Sequence, residues 1–176
     1  WTANKAVQCL KGHSFNFSSS LSTTGNLTYA WNFGSSASVS TANSASVTGL
    51  NYSSVGVKTV ELGITDGNGC YDTFTGTVTI HNNPDAQFTI NNNKQCFQTQ
   101  SFNFSSSASA TTSPATIASY SWNFGSNATP SISTNSTPIG IAYSDTGIKS
   151  ITLVIKDNLG CPDTLISTLR VLGNPK

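Results

Sequence analysis

The phrase YAWNFG at residues 29–34 recurs as YSWNFG at residues 120–125, and together the two copies hold two of the three tryptophans of the chain. The match continues beyond the phrase. YSSVGVKTVELGITDGNGCYDT at residues 52–73 corresponds to YSDTGIKSITLVIKDNLGCPDT at residues 143–164, again 91 positions later. A self-match of this length indicates that one domain occurs twice.

The match also extends backward along the chain, at an offset of 87 residues. VQCLKGHSFNFSSS at 7–20 corresponds to KQCFQTQSFNFSSS at 94–107, so the second copy gains a four-residue insertion after this point. We predict a first domain at residues 1–83 and a second at residues 84–176. We also expect further copies or other domains on each side in the native protein, because Asn-Pro both introduces and ends the second copy.

The apolar residues have a period of two, which is typical of strands with one buried face. The alternating sets are Phe15 and Phe17; Tyr29, Trp31 and Phe33; Val60, Leu62 and Ile64; and Phe74, Val78 and Ile80. DGNG at residues 66–69 lies between two such stretches and predicts a hairpin turn, since Gly and Asn tolerate a positive φ. About seven short strands per copy predict an all-β fold of two tandem antiparallel β-sandwiches.

Three aromatic residues of each copy form its predicted core signature. They are Trp31, Phe33 and Tyr52 in the first copy, and Trp122, Phe124 and Tyr143 in the second. The tryptophan lies on the apolar face of the same predicted strand in both copies. We therefore expect it to be the largest contributor to each core, and truncating such a residue to Ala typically costs about 3–5 kcal/mol.

The composition excludes two classes of partner. Charged residues make up 9% of the chain and the net charge is +1, whereas nucleic-acid binding needs clustered Lys and Arg. No apolar run approaches the roughly 20 residues of a membrane helix. We therefore predict no nucleic-acid partner and no membrane insertion, while the 36% of hydrophobic residues is sufficient for packed cores.

The phrase WNFG, followed by Y-x-x-x-G-x-x-x-V-x-L-x-I-x-D at residues 52–66, resembles the signature of the PKD (polycystic kidney disease) domain, and residues 143–157 fit the same frame. The resemblance covers both copies. It implies immunoglobulin-like sandwiches that are extracellular, usually non-catalytic and often tandem. Because the Asn-Pro joint leaves no room to fold back, we expect the two domains to be arranged end to end, and we predict no cofactor. The paired cysteines and the NGC-x-D turn resemble those of large surface adhesins of Bacteroidetes.

The sequence departs from that signature where the family usually has acidic residues. These positions are Asn32 and Ser35 in the first copy, and Asn123 and Ser126 in the second. DGNGCYD is similar to part of a calcium loop, but it lacks a further bidentate acid. We therefore predict no metal site, and we predict that Asp66 and Asp157 shape their turns through side-chain-to-backbone hydrogen bonds.

The four cysteines form two equivalent pairs, Cys9 with Cys70 and Cys96 with Cys161. Each domain of an array should be self-contained, so the repeat favours disulfides Cys9–Cys70 and Cys96–Cys161, which would indicate an oxidising compartment. The alternative is a zinc site of four thiolates. Such a site needs cysteines spaced two to four residues apart, and the sequence has none.

Few other residues offer chemistry. With only His13 and His81 and seven carboxylates, the chain has little for a nucleophilic catalytic site, and we predict no enzyme. Both histidines are expected to be exposed at strand ends. Trp1 either stacks on a sugar or packs at the domain edge, and its equivalent Phe88 favours the edge. Asp-Thr-Leu at residues 163–165 resembles the Bacteroidetes O-glycosylation motif, with Thr164 as the acceptor.

These patterns favour a non-enzymatic segment of a large secreted cell-surface protein, a semi-rigid stalk of an adhesin in surface attachment or gliding. Its partners would be neighbouring repeats of the same chain. Pro84 lacks a donor and restricts Asn83 to extended conformations, which would stiffen the joint. The alternative is a module that itself contacts polysaccharide or a surface protein ligand, within a secreted hydrolase.

Overall fold

The structure, a computed structural model, describes residues 1–20 and 26–175. It divides into two compact units, Trp1–Asn82 and Asn83–Lys176, which we call unit 1 and unit 2. The division falls one residue before the boundary predicted from the repeat. The described residues form seventeen strands and no helix, so the fold is all-β as predicted.

Unit 1 is a two-layer β-sandwich. Its strands are β1 (Thr2–Ala3), β2 (Val7–Cys9), β3 (Phe15–Ser18), β4 (Thr28–Asn32), β5 (Thr41–Ala42), β6 (Ser46–Leu50), β7 (Gly56–Thr65) and β8 (Tyr71–His81). The larger sheet has the order β2-β8-β7-β4-β5 and the smaller one β1-β3-β6. The long β7–β8 hairpin is central to the larger sheet, and the predicted turn at residues 66–69 closes it.

Unit 2 repeats this layout. Its strands are β9 (Thr89–Ile90), β10 (Lys94–Cys96), β11 (Phe104–Ser105), β12 (Ile117–Asn123), β13 (Ala128–Thr129), β14 (Ile132–Ser133), β15 (Ala142–Tyr143), β16 (Gly147–Asp157) and β17 (Pro162–Leu172). The larger sheet has the order β10-β17-β16-β12-β14. The facing layer consists of the pairs β9–β11 and β13–β15 and an isolated bridge between Phe102 and Ile141.

Each unit has its own aromatic-rich core. In unit 1 the buried residues are Phe15, Phe17, Trp31, Phe33, Leu50, Tyr52, Val60, Leu62, Val78 and Ile80. In unit 2 they are Ala86, Phe102, Phe104, Trp122, Phe124, Ala128, Ile141, Tyr143, Ile151, Leu153, Ile155, Leu169 and Val171. Every member of the predicted core signature is among them. Each cluster lies within one unit and includes the tryptophan of that unit.

The WNFG phrase carries a buried strand into a tight turn. The Trp31 ring is stacked on Phe33 with centroids 5.5 Å apart, and its Nε1 donates a hydrogen bond to the Ser44 carbonyl at 2.8 Å. Asn32, which is exposed, accepts a hydrogen bond from the Gly34 N–H at 3.1 Å. Gly34 has φ of +80°, a conformation that glycine adopts without strain. The residues of WNFG therefore alternate between the core, which holds the two rings, and the turn, which holds Asn32 and Gly34.

Unit 2 repeats this arrangement closely. Trp122 donates to the Asn135 carbonyl at 2.8 Å and is stacked on Phe124, and Asn123 accepts from the Gly125 N–H at 2.8 Å. The asparagine needs only a neutral oxygen for this role. The departure from the acidic family pattern is therefore compatible with the same turn.

The chain enters each sandwich on an edge strand that is parallel to the last strand. β2 runs beside β8 with Cys9 opposite His81, and β10 runs beside β17 with Cys96 opposite Leu172. The larger sheet of each unit is therefore mixed, where the sequence predicted antiparallel sheets, whereas the strand pairs of the smaller layers are antiparallel. The first strand is split, since β1 pairs with β3 in the smaller sheet of unit 1 before the chain crosses to the larger sheet as β2.

This register shows that the predicted disulfides Cys9–Cys70 and Cys96–Cys161 are wrong. Cys9 lies opposite the last residue of β8, whereas Cys70 immediately precedes the first residue of that 11-residue strand. Such a strand rises about 33 Å, but bonded cysteines have Cα atoms only about 4.4–6.8 Å apart. β17 separates Cys96 from Cys161 in the same way.

The cysteine states agree with this geometry. Cys70 and Cys96 are free and exposed, while Cys9 and Cys161 are disulfide-bonded. The repeat shows which cysteines are equivalent, but not at which end of a strand each one lies. The disulfide pairing predicted from the repeat is wrong because it did not take into account that β2 and β10 run parallel to β8 and β17.

Candidate functional site

A groove of about 410 Å³ opens beside the β7–β8 turn of unit 1. Leu62 and Ile64 of β7 form its apolar base, and Trp1, Tyr71 and Phe74 supply three aromatic rings. We call this the Trp1 groove. Apolar walls with a few polar groups are the usual composition of ligand sites, so this groove is the candidate site of unit 1.

Trp1 is fixed in the groove by its neighbours. Its ring contacts Phe17 and Phe74 edge-on, with centroids 5.6 and 5.8 Å away, and its Nε1 donates to the Phe74 carbonyl at 3.4 Å. A Cβ at Gly76 would lie 2.5 Å from the Trp1 ring, so this glycine lets the indole rest on the backbone of β8. These contacts support packing of Trp1 at the domain edge over a free stacking platform.

Tyr71 and Phe74 are the exposed aromatic residues of the groove, at 65% and 55% of their surface. Tyr71 lies over Gly63, where a Cβ would come within 2.7 Å of its Oη. Phe74 was predicted on the buried face of its strand. It is exposed, although the Trp1 ring contacts it edge-on.

Two carboxylates also line the groove. Asp66 Oδ1 accepts hydrogen bonds from the backbone N–H groups of Cys70 and Asn68, both at 2.9 Å, which confirms its predicted role in the turn. These two bonds, Cys70 first, hold the pKa of Asp66 below its ordinary value. Asp72 is exposed and accepts from the Thr73 N–H at 2.8 Å. Both groups remain available as acceptors at the rim.

The lining of the groove combines aromatic rings with two carboxylates. No histidine is among its lining residues. Over the described residues, no three His, Cys, Asp or Glu side chains come together as a metal-binding group. Rings beside carboxylates suit a ligand with apolar faces and hydroxyl groups, such as a sugar.

His13 is buried at 8% exposure, so the prediction that it is an exposed strand-end residue is wrong. Its Nδ1 hydrogen-bonds to the Leu10 carbonyl and its Nε2 accepts from the Tyr52 N–H, both at 2.7 Å. His81 is partly exposed at the end of β8. Both histidines lie outside the groove, and the role of His13 is structural.

The exposed aromatic pair has no equivalent in unit 2. Tyr71 corresponds to Pro162 and Phe74 to Leu165. The contrast between CYDTF and CPDTL is visible in the sequence. Differences between otherwise matching copies are the signal that would have identified this groove.

Thr164, the predicted glycosylation acceptor, lies in β17 opposite Val154 and is exposed. The preceding Asp163 is engaged, because its Oδ2 accepts a hydrogen bond from the Ala86 N–H at 2.9 Å. The hydroxyl of Thr164 is thus accessible, while the aspartate of the motif has a structural role.

Comparison with known proteins points to one family. The model of the PKD domain matches residues 81–171, just over half of the chain. No curated protein matches the chain. No helix within the described part of the chain has the length and apolar character needed to cross a bilayer.

Several solved structures are similar to parts or all of the chain. The PKD1 domain of Vibrio anguillarum Epp is 23% identical with a TM-score of 0.43, covering 53% of this chain and 99% of its own. The PKD1 domain of the Vibrio cholerae metalloprotease PrtV is 28% identical with a TM-score of 0.40, covering 51% and 96%. The fibronectin(III)-like modules of Clostridium thermocellum CbhA are 11% identical with a TM-score of 0.45, covering 98% and 94%.

Proposed function

Because the chain belongs to the PKD-domain family, we propose that it is a non-enzymatic tandem-repeat segment of a large secreted cell-surface protein. In this proposal the two sandwiches act as a semi-rigid spacer, arranged end to end, in the stalk of an adhesin for surface attachment or gliding. PKD domains are generally non-catalytic binding or spacer modules and occur in extracellular proteins. The disulfide-bonded cysteines agree with an oxidising compartment.

The shortness of the joint carries this proposal. β8 ends at His81, and the Asn83 Nδ2 already donates to the Pro162 carbonyl of unit 2 at 2.7 Å. Asn82 is the single residue between the end of β8 and Asn83, whose side chain is anchored in unit 2. A joint of one residue, followed by Pro84, leaves few backbone torsions to rotate.

The surfaces also suit a spacer. Charged residues are 9% of the chain, and the exposed faces of the long strands are rich in Thr and Ser, as in β8 with Thr73, Thr75 and Thr77. Such faces are polar without a strong field, so they neither attract nor orient charged partners. A spacer needs this combination of solubility and low reactivity.

Small-angle scattering tests the spacer directly. A strand of about 10 residues rises roughly 33 Å, so two sandwiches in line should span on the order of 80 Å. Asn83→Gly with Asp163→Ala removes two anchors of the joint and should broaden the distribution of distances. The matched control, Asn68→Gly, changes an exposed turn away from the joint and should leave the profile unchanged. A compact, nearly spherical particle would contradict the spacer.

The Trp1 groove favours a second candidate, a module that contacts polysaccharide. The supporting observation is the pair of exposed rings, Tyr71 and Phe74, beside Asp66 and Asp72. Affinity electrophoresis in gels that contain soluble polysaccharides tests it. Retardation that is lost in Tyr71→Ala and Phe74→Ala, but not in the matched Leu165→Ala of unit 2, would support binding. No retardation by any polysaccharide would leave the spacer as the function.

A further inference from the structure

The corner of unit 2 that corresponds to the Trp1 groove is filled. Ile155 and Ser106 are 0% and 2% exposed, whereas their counterparts in unit 1, Ile64 and Ser19, are only partly buried. The strands around them pair in the same way in both units. Two parts of unit 2 meet near this corner: the loop that carries the four-residue insertion, and a segment that pairs with this loop through Asp85 and Ala110.

This short segment leads into unit 2. Ala86 is 2% exposed and belongs to the core of unit 2. Its N–H donates to Asp163 Oδ2 at 2.9 Å, and the Asn83 side chain donates to the Pro162 carbonyl at 2.7 Å. The segment thus lies along the start of β17, with its alanine directed into the core.

Hydrogen bonds on its other side complete the seat. Asp85 exchanges two backbone hydrogen bonds with Ala110, at 2.8 and 3.1 Å. Gln87 donates its N–H to Ser109 Oγ at 3.0 Å, and that hydroxyl donates back to the Gln87 carbonyl at 2.7 Å. Residues 83–87 are therefore held between the start of β17 and the loop of Ala110, with one isolated β-bridge at Asp85.

Unit 1 retains the main receptors for such a segment. Asp72 stands at the position of Asp163 with an exposed carboxylate, and the Tyr71 carbonyl corresponds to that of Pro162. Leu62 and Ile64 supply the apolar base on which an alanine methyl would rest. Trp1 corresponds to Phe88, so a matching segment joined to Trp1 would lead straight into the groove.

We propose that the Trp1 groove is the seat of an extended Asn-Pro-Asp-Ala-Gln segment joined to Trp1. In unit 2 the same five residues are Asn83 to Gln87. In unit 2 this segment contributes Ala86 to the core of the sandwich that follows it. This goes beyond a spacer role, because it makes the lead-in segment a part of the folding unit that follows it.

The test compares three chains: the 176-residue chain, the same chain with Asn-Pro-Asp-Ala-Gln added before Trp1, and that extended chain with arginine in place of the added alanine. Amide hydrogen exchange at residues 64–66 and 71–74 is the readout. We expect the added segment to slow exchange there about tenfold and to raise the unfolding temperature of unit 1 by about 4–8 °C. The arginine version should show neither effect, because its charge cannot enter the apolar seat.

Unit 2 provides the internal reference and the reciprocal variant. Its exchange should be the same in all three chains, while Ala86→Arg should speed exchange around Ile155 by about tenfold. Asp72→Ala in the extended chain should remove part of the protection, since it deletes the acceptor equivalent to Asp163. An extension that changes neither exchange nor unfolding temperature, or an arginine version that protects equally well, would overturn the proposal.

Discussion

The Tyr52 backbone N–H donates a hydrogen bond to Nε2 of His13 at 2.7 Å, and the same contact exists in unit 2 with different chemistry. There, the Tyr143 N–H donates to Oε1 of Gln100 at 2.9 Å. The other polar atom of each side chain also has a matching partner. Nδ1 of His13 hydrogen-bonds to the Leu10 carbonyl, and Nε2 of Gln100 donates to the Phe97 carbonyl. A neutral imidazole and an amide thus make the same bridge between two loops.

This equivalence predicts that His13→Gln is tolerated and His13→Ala is not. The alanine variant leaves the buried Tyr52 N–H without a partner, which should cost about 1–3 kcal/mol of unfolding free energy. Denaturant titration with a probe specific to unit 1 measures it, and Gln100→His with Gln100→Ala is the matched pair in unit 2. Equal losses for His13→Gln and His13→Ala would mean that the shape of the ring matters more than its hydrogen bonds.

Trp1 and Gly76 should behave as a coupled pair. Gly76→Ser places a Cβ within 2.5 Å of the indole, and such overpacking typically costs about 1–3 kcal/mol. Unit 2 has Phe88 and Ser167 at the corresponding positions, a smaller ring with a larger neighbour. We expect Trp1→Phe to recover most of the loss caused by Gly76→Ser in a double-mutant cycle. Simple additivity of the two substitutions would contradict this coupling.

Two buried tyrosines should limit stability at alkaline pH. Burial raises the pKa of Tyr52 and of Tyr143 from 10.0 to about 12. A raised folded-state pKa contributes stability that is complete below the unfolded-state value of 10 and is lost as the pH rises toward 12. We expect the unfolding temperature to fall across this window, together with the appearance of tyrosinate absorbance.

Phenylalanine variants separate the two tyrosines from other causes of alkaline unfolding. Neither hydroxyl has a hydrogen-bond partner among the described residues, so Tyr52→Phe and Tyr143→Phe should cost little at neutral pH. The double variant should lose much of its alkaline sensitivity. A large loss of stability at neutral pH would instead show that both hydroxyls have partners in solution.

The four cysteines should differ in reactivity because two are free thiols and two are disulfide-bonded. Cys70 and Cys96 are free and exposed, so iodoacetamide should label both in the native protein, while Cys9 and Cys161 should stay unlabelled until reduction. Peptide mapping by mass spectrometry distinguishes them. A Cys9–Cys70 or Cys96–Cys161 peptide would contradict the register of the edge strands.

The sequence predicted the features that depend on local pattern. Alternation correctly predicts that Trp31 and Trp122 are buried. The turn sequence correctly predicts that the Asp66 side chain bonds the backbone, which it does two and four residues ahead. The parallel entry of β2 was missed because it depends on contact between the two ends of the domain. No local pattern records which strand end lies beside which.

The same limit explains the errors on single residues. His13 lies in a polar stretch, KGHS, and only the fold brings the loop of Tyr52 over it. Phe74 shares the period of Val78 and Ile80, but it is exposed whereas they are buried. Periodicity assigns a side chain to a face, whereas burial depends on how far the opposite sheet reaches.

The WNFG phrase predicts that calcium does not stabilise this protein. In both units the residue after the tryptophan is an asparagine that already bonds the glycine of its turn, at 3.1 and 2.8 Å. A calcium site needs several oxygen ligands with more than one carboxylate among them, and Ser35 and Ser126 supply none. The unfolding temperature should therefore change by less than about 1 °C when EDTA replaces calcium, because only a ligand that binds the folded state would raise this temperature.

The double variant Asn32→Asp with Ser35→Asp restores the acidic pattern in unit 1 alone. If that variant gains calcium-dependent stability while the parent chain does not, the two neutral residues are what sets the calcium independence of this protein. A parent chain that loses many degrees in EDTA and recovers with calcium would instead show that other oxygens bind the ion.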